Sequence, residues 1–224
     1  MDALYVDSEL SPSEADARIE ASDAAVIVHG APGLVQGEGH AAALIGALSG
    51  GADLAHSLPA QLHPDGMITA APLCLASPEI LEMHVSARLL AVTRGVAGYR
   101  REAYLAQPHR WSLGAGEAKI WPALAQGGVR LAPKVTALQI VGENAPPAQD
   151  WTQIALFGGW LTHLLNALPE GAPRPANTDD ALERFAFPGR AGDSWFDEEI
   201  ELSERQKAEL RGAFHAWRLS HSAA

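Results

Sequence analysis

The run Ala24-Ala25-Val26-Ile27-Val28 constrains this chain more than any other segment. It is apolar on both parities, so it reads as a strand buried on both faces, not as a half-wetted one. Glycines and a proline follow at Gly30, Pro32 and Gly33. The chain then changes period: "HAAALIGALS", from His40, is made of good helix formers and stops at Gly50-Gly51. Upstream, "ALYV" (residues 3–6) is a short strand candidate. The segment "SPSEADARIEAS" carries a helix start, with Ser11 as N-cap, Pro12 at the first helical position and Glu14 completing a capping box. Strand, helix, strand, helix is an N-terminal βαβα unit.

The middle of the chain changes character. "ADLAHSLPAQLHPDG" holds Pro59, Pro64 and Asp65-Gly66 and reads as a connection with a turn. "MITAAPLCLA" is a strand candidate, and Ser77-Pro78-Glu79 a short helical turn. Met83, Val85, Ala87 and Leu89 alternate, as do Tyr99, Arg101, Ala103 and Leu105. Val129 and Leu131, then Val135 and Ala137, alternate on either side of Pro133. These runs predict three or four antiparallel strands. The expected fold class is therefore α+β: the βαβα unit, a central mostly antiparallel sheet and two C-terminal helices.

The first of those helices is predicted from Ile154, Phe157, Leu161, Leu164 and Leu168, which form one apolar stripe interrupted by Gly158-Gly159. The second starts at Ser203, with Gln206 completing a capping box. "PEGAPRPANTDD" between them is a polar, proline-bearing linker. The division expected is an α+β domain over residues 1–169, with residues 170–224 supplying a linker and a helix that packs on it.

Composition narrows the function classes. With 47% hydrophobic and 19% charged residues the chain is globular. Its net charge of −11 argues against nucleic acid and anionic membrane as partners. The charge is uneven: residues 1–75 hold one basic side chain against ten acidic ones, whereas residues 76–150 hold eight against six. Arg88, Arg94, Arg100, Arg101, Arg110, Lys119, Arg130 and Lys134 are expected to line the wet face of the sheet, with an anion-binding face as the alternative. The single cysteine, Cys74, lies among leucines and reads as a buried structural thiol. The acidic start is no signal peptide, no apolar stretch reads as a membrane span, and the expected setting is cytoplasmic.

A strand followed by glycines and a helix N-terminus can hold a phosphate through free backbone N–H groups. The dinucleotide fingerprint and the Walker A loop are both absent: Ala42 stands where a third glycine is needed, and no Lys-Ser or Lys-Thr follows. There is also no G-x-S-x-G nucleophile elbow after "VIVHG". One pattern remains. Gln36-Gly37-Glu38-Gly39-His40-Ala41 resembles the pyrophosphate-binding motif of GNAT-type acetyltransferases, Q/R-x-x-G-x-G/A. The resemblance implies that backbone N–H groups of Gly37, Gly39, His40 and Ala41 hold the pyrophosphate of acetyl-CoA or another acyl-CoA. It spans six residues, lies early in the chain, and places Glu38 beside the would-be anion.

The nine histidines make no H-E-x-x-H or other short paired spacing, so no metal is expected from sequence. "DSWFDEEIE" is not spaced as a calcium loop and reads as a solvated segment. Six tryptophans suit either a core or an interface. The expectation is a non-catalytic domain that binds a protein partner, another copy of itself or a small ligand, with no resident cofactor. The alternative is a small acyl-CoA-dependent acyltransferase using the Gly30–Ala41 turn, and no catalytic residue can be assigned.

Overall fold

A computed structural model describes residues 1–62, 68–70, 75–76, 78–86, 92–132 and 134–140. Both predicted C-terminal helices, the linker, the 169/170 boundary, Cys74 and the acidic run lie outside those residues.

The α+β class is realised in mixed sheets. The order is β1 (Ala3–Val6), α1 (Pro12–Ala21), β2 (Val26–His29), β3 (Leu34–Gln36), α2 (His40–Leu48), β4 (Leu54–Ser57), β5 (Ala60–Leu62), β6 (Ile68–Ala70), α3 (Pro78–Ser86), β7 (Ala97–Arg100), α4 (Arg101–Ala106), α5 (Glu117–Ala125), β8 (Val129–Ala132) and β9 (Ala137–Ile140). One sheet runs β1-β2-β7-β4-β8 and the other β3-β9-β5-β6. Antiparallel pairs β2–β7, β7–β4, β3–β9 and β5–β6 are joined by parallel pairs β1–β2, β4–β8 and β5–β9.

The N-terminal unit forms as its sequence dictates. At α1, the Ser11 hydroxyl accepts the Glu14 N–H while the Glu14 carboxylate accepts the Ser11 N–H at 2.9 Å. All four residues of β2 are buried, as a strand apolar on both parities requires. The pleat divides its side chains. Val26 and Val28 pack with Ala55 of β4 against Leu44 and Leu48 of α2. Ile27 faces the larger core with Ile19, Leu54, Tyr99, Tyr104, Trp111, Ile120 and Trp121. Helices thus cover both faces of the five-stranded sheet. α2 sits close over β7 at Gly98, where a Cβ would meet Leu44 Cδ1 at 3.1 Å.

Three segments differ from the sequence-based expectation. Residues 78–86 form α3, not a strand, although Met83 and Val85 alternate. Pro78 at the first helical position presets φ, and Leu81, His84 and Val85 also fit a helical spacing. The alternation from Tyr99 to Leu105 breaks at Arg101, where β7 gives way to α4. That switch brings Tyr99 and Tyr104 into one core with ring centroids 5.2 Å apart. "ADLAHSLPAQL" is not only a connection but two buried strands, β4 and β5, broken at Leu58-Pro59. His56 and Ser57 interrupt the apolar run there, yet both are buried and bonded. The His56 Nδ1–H donates to the Ser57 carbonyl at 3.0 Å, and its Nε2 accepts the Leu75 N–H at 3.1 Å.

The second sheet begins where strands of the first end. β2, β4 and β8 lead through residues 30–33, 58–59 and 133–136 into β3, β5 and β9. Connections this short keep the second sheet at the carboxyl edge of the first. Gln36 staples the junction, its side-chain amide donating to the His29 and Gly95 carbonyls at 2.7 Å each.

Candidate functional site

In open α/β sheets the carboxyl edge is the usual ligand site, and here it carries the Gly30–Ala41 turn. The Gly37 N–H donates to the Thr136 carbonyl at 3.0 Å, extending the β3–β9 pairing. The His40 N–H donates to the Gly37 carbonyl at 3.0 Å. Gly39 is the N-cap of α2, with φ −81°, and a Cβ there would meet nothing within 4 Å. The N–H groups of Gly39 and Ala41 have no backbone partner among the described residues. The His40 side chain turns inward: its Nδ1 lies 2.7 Å from Thr136 Oγ1, while Nε2 is buried without a partner among the described residues. Burial pulls the His40 imidazole down to about 4, with the Gly95 carbonyl acting in the other direction.

Behind the turn lies a buried polar chain. The Tyr99 hydroxyl accepts the Trp111 indole N–H at 3.0 Å and sits 2.6 Å from His29 Nε2. An indole can only donate, so Trp111 takes one acceptor site of the Tyr99 oxygen, and the tautomer of His29 sets which way the His29–Tyr99 bond runs. Burial first, and then the Arg94 guanidinium, push His29 down to about 3; Asp16 acts weakly in the other direction. Arg94 also stands over the Trp111 ring at 5.6 Å. On the far side, the Tyr104 hydroxyl donates to Asp16 Oδ1 at 2.5 Å and accepts the Trp111 N–H at 2.9 Å. The other Asp16 oxygen accepts from the Ser112 N–H at 2.9 Å and from the Ser112 hydroxyl. Asp16 is 95% buried, so these bonds stand in for its lost water. The chain ties α1, β2, β7, α4 and the 3-10 turn Trp111–Leu113 together.

The basic residues of the middle segment do not simply line a wet sheet face. Three arginines clamp helix ends. Arg100 donates from Nε to the Ala52 carbonyl at 2.9 Å and from Nη2 to the Leu48 carbonyl of α2 at 3.1 Å. Arg101 donates to the Ile19 and Glu20 carbonyls of α1 at 2.7 Å each. Arg110 donates to the Tyr104 and Leu105 carbonyls of α4 and to the Gln107 carbonyl at 2.6 Å. The last carbonyls of a helix lack intrahelical donors and carry its negative dipole end, so a guanidinium satisfies both needs. Arg130, in contrast, is exposed on β8.

The opposite, amino edge of the five-stranded sheet is open. A cleft of about 450 Å³ lies between α4, α5 and the starts of β4 and β8. Its polar groups belong to Asp53, Gln107, His109 and Gln126; Ala103, Ala106, Pro108 and Ala123 supply apolar surface. Gln107 is committed to the wall, its amide donating to the His109 carbonyl at 2.6 Å. The Asp53 carboxylate lies against Gly127: a Cβ on that glycine would fall 1.7 Å from Asp53 Oδ2. In the sequence none of these residues is marked as part of a site. Asp53 sits in a Gly-Ala-Asp turn and the glutamines belong to no motif, so the cleft had no linear signal.

Among the described residues, no three His, Cys, Asp or Glu side chains group to hold a metal ion, and no helix is long and apolar enough to cross a membrane. Compared with known proteins, the chain matches no family model and no curated protein.

Proposed function

We propose that this chain is a non-catalytic domain that binds a small ligand in the cleft between α4, α5 and the start of β4. The observation that carries the reading is the cleft itself: about 450 Å³, with Asp53, Gln107, His109 and Gln126 set among the small side chains of Ala103, Ala106, Pro108 and Ala123. Asp53, His109 and Gln126 suit recognition, Gln107 being committed to the wall. Asp53, Gln107, His109 and Gln126 offer no hydroxyl or thiol nucleophile to a neighbouring base. A cytoplasmic setting belongs to the same proposal, resting on the single cysteine.

A backbone amide NMR map during a metabolite screen tests it. Ligands that bind should shift Ala103, Ala106, Leu124 and Gly127 together. A screen in which hits shift other regions and leave these amides still would refute the assignment.

The acyl-CoA reading stays as the second, for a specific reason. Gly39 and Ala41 keep N–H groups without backbone partners among the described residues, and the first turn of α2 holds no acidic residue. Against it, Gly37 and His40 have already spent theirs, and Arg100, Arg101 and Arg110 are committed to helix ends elsewhere. Stabilisation by acetyl-CoA that Gly39→Asp abolishes would favour this reading over the cleft.

A further inference from the structure

The walls of the cleft share one electrical character. α4 and α5 both end there, so each brings the carbonyl end of its dipole to the same space. At α4 the negative end is answered by Arg110. At α5 the last turn contains no basic residue, and its Leu124 and Ala125 carbonyls accept the backbone N–H groups of Gly127 and Gly128, at 3.0 Å each. Asp53 adds a full negative charge between them. Among the described residues its nearest cation is Arg100, whose Nε stands 3.9 Å from Oδ1 while donating to Ala52, with Nη2 donating to Leu48. An ion pair that long, on a guanidinium already spent on two carbonyls, leaves the carboxylate free to accept. The Asp53 side chain is 29% exposed, open enough to be reached yet partly withdrawn from water.

From this arrangement we infer that the cleft recognises a small organic cation: an ammonium or guanidinium group set against Asp53 and the carbonyl end of α5, on a short apolar body lying along Ala103, Ala106, Pro108 and Ala123. Gly127 is the positioning residue. With no side chain of its own, it lets the carboxylate lie flat at the cleft wall, and any larger residue would push Asp53 aside. The inference rests on the cleft being the binding site proposed above.

Three probes of nearly equal size separate the outcomes: benzylamine, benzyl alcohol and benzoate, titrated against the full chain and followed at the amides of Ala103 and Gly127. Benzylamine should bind about tenfold more tightly than benzyl alcohol, the factor expected for one charge-assisted hydrogen bond, and benzoate more weakly than either. Raising the salt concentration should shrink that preference. Asp53→Asn should abolish it. Gly127→Ala, which keeps the carboxylate but moves it, should reduce it severalfold and serves if Asp53→Asn does not fold. Equal binding of the three probes, or a preference for benzoate, would overturn the cation inference and leave the cleft as a ligand site. Failure of all three to shift the cleft amides at millimolar concentration would overturn both.

Discussion

The Tyr99 hydroxyl bridges two buried groups from different elements: it is hydrogen-bonded to His29 Nε2 at 2.6 Å and accepts the Trp111 indole N–H at 3.0 Å. Tyr99→Phe keeps the ring and its contacts with Tyr104 and Trp121 but orphans both polar partners. Each orphan in a dry site costs about 1–3 kcal/mol. The expected loss is about 2–4 kcal/mol by urea unfolding at neutral pH. A loss under about 0.5 kcal/mol would mean that water reaches these groups.

Four imidazoles set the pH response. Burial lowers His29 to about 3 and His40, His56 and His84 to about 4, while the unfolded chain titrates near the usual 6.5. The folded protein therefore refuses protons that the unfolded chain accepts. This stability is fully present above about pH 6.5 and drains away as pH falls toward 4. Within that window each histidine contributes a slope of up to about 1.4 kcal/mol per pH unit. Urea midpoints at pH 7.5, 6 and 5 should fall steeply in that order. A flat profile would show that protons reach these rings without unfolding.

The arginine clamps predict an asymmetry between similar side chains. Arg101→Ala removes two donors from the end of α1 and should cost about 1–2 kcal/mol. Arg101→Lys restores the charge but not the fork that reaches Ile19 and Glu20 together, so it should recover less than half. Thermal unfolding of the two variants decides this, and equal melting temperatures would contradict it.

Two glycines at the carboxyl edge should behave in opposite ways. At Gly95 a Cβ would fall 2.7 Å from Ala31 Cβ and 3.2 Å from Leu34 Cδ2, so Gly95→Ala should destabilise by about 1–3 kcal/mol. At Gly39 a Cβ meets nothing within 4 Å and φ is negative, so Gly39→Ala should stay within about 0.5 kcal/mol. Comparing the two in one denaturation series checks the packing where the sheets meet.

Local chemistry was legible in the sequence, and long-range chemistry was not. Ser11, Pro12 and Glu14 announce α1 because a capping box is complete within four residues. β2 and α2 announce themselves through period and composition. β4 stayed hidden because His56 and Ser57 look like loop residues until Leu75 and the backbone satisfy them. α4 stayed hidden because its reason to leave the strand direction is Tyr104 meeting Asp16 of α1, a partner far away in sequence. The cleft shares that property. Asp53 becomes informative only when Gly127 and the ends of α4 and α5 stand around it.

The passage of β2, β4 and β8 into β3, β5 and β9 has a kinetic consequence. β9 must find β3 and β5, formed about a hundred and about eighty residues earlier, while β8 finds β4 in the same pass. Neither sheet can close its ladders before chain segments far apart have met, so loop entropy is lost well before contacts repay it. Such a topology folds slowly for its size. Because the two sheets share three strand connections, they should gain and lose hydrogen-exchange protection as one cooperative unit.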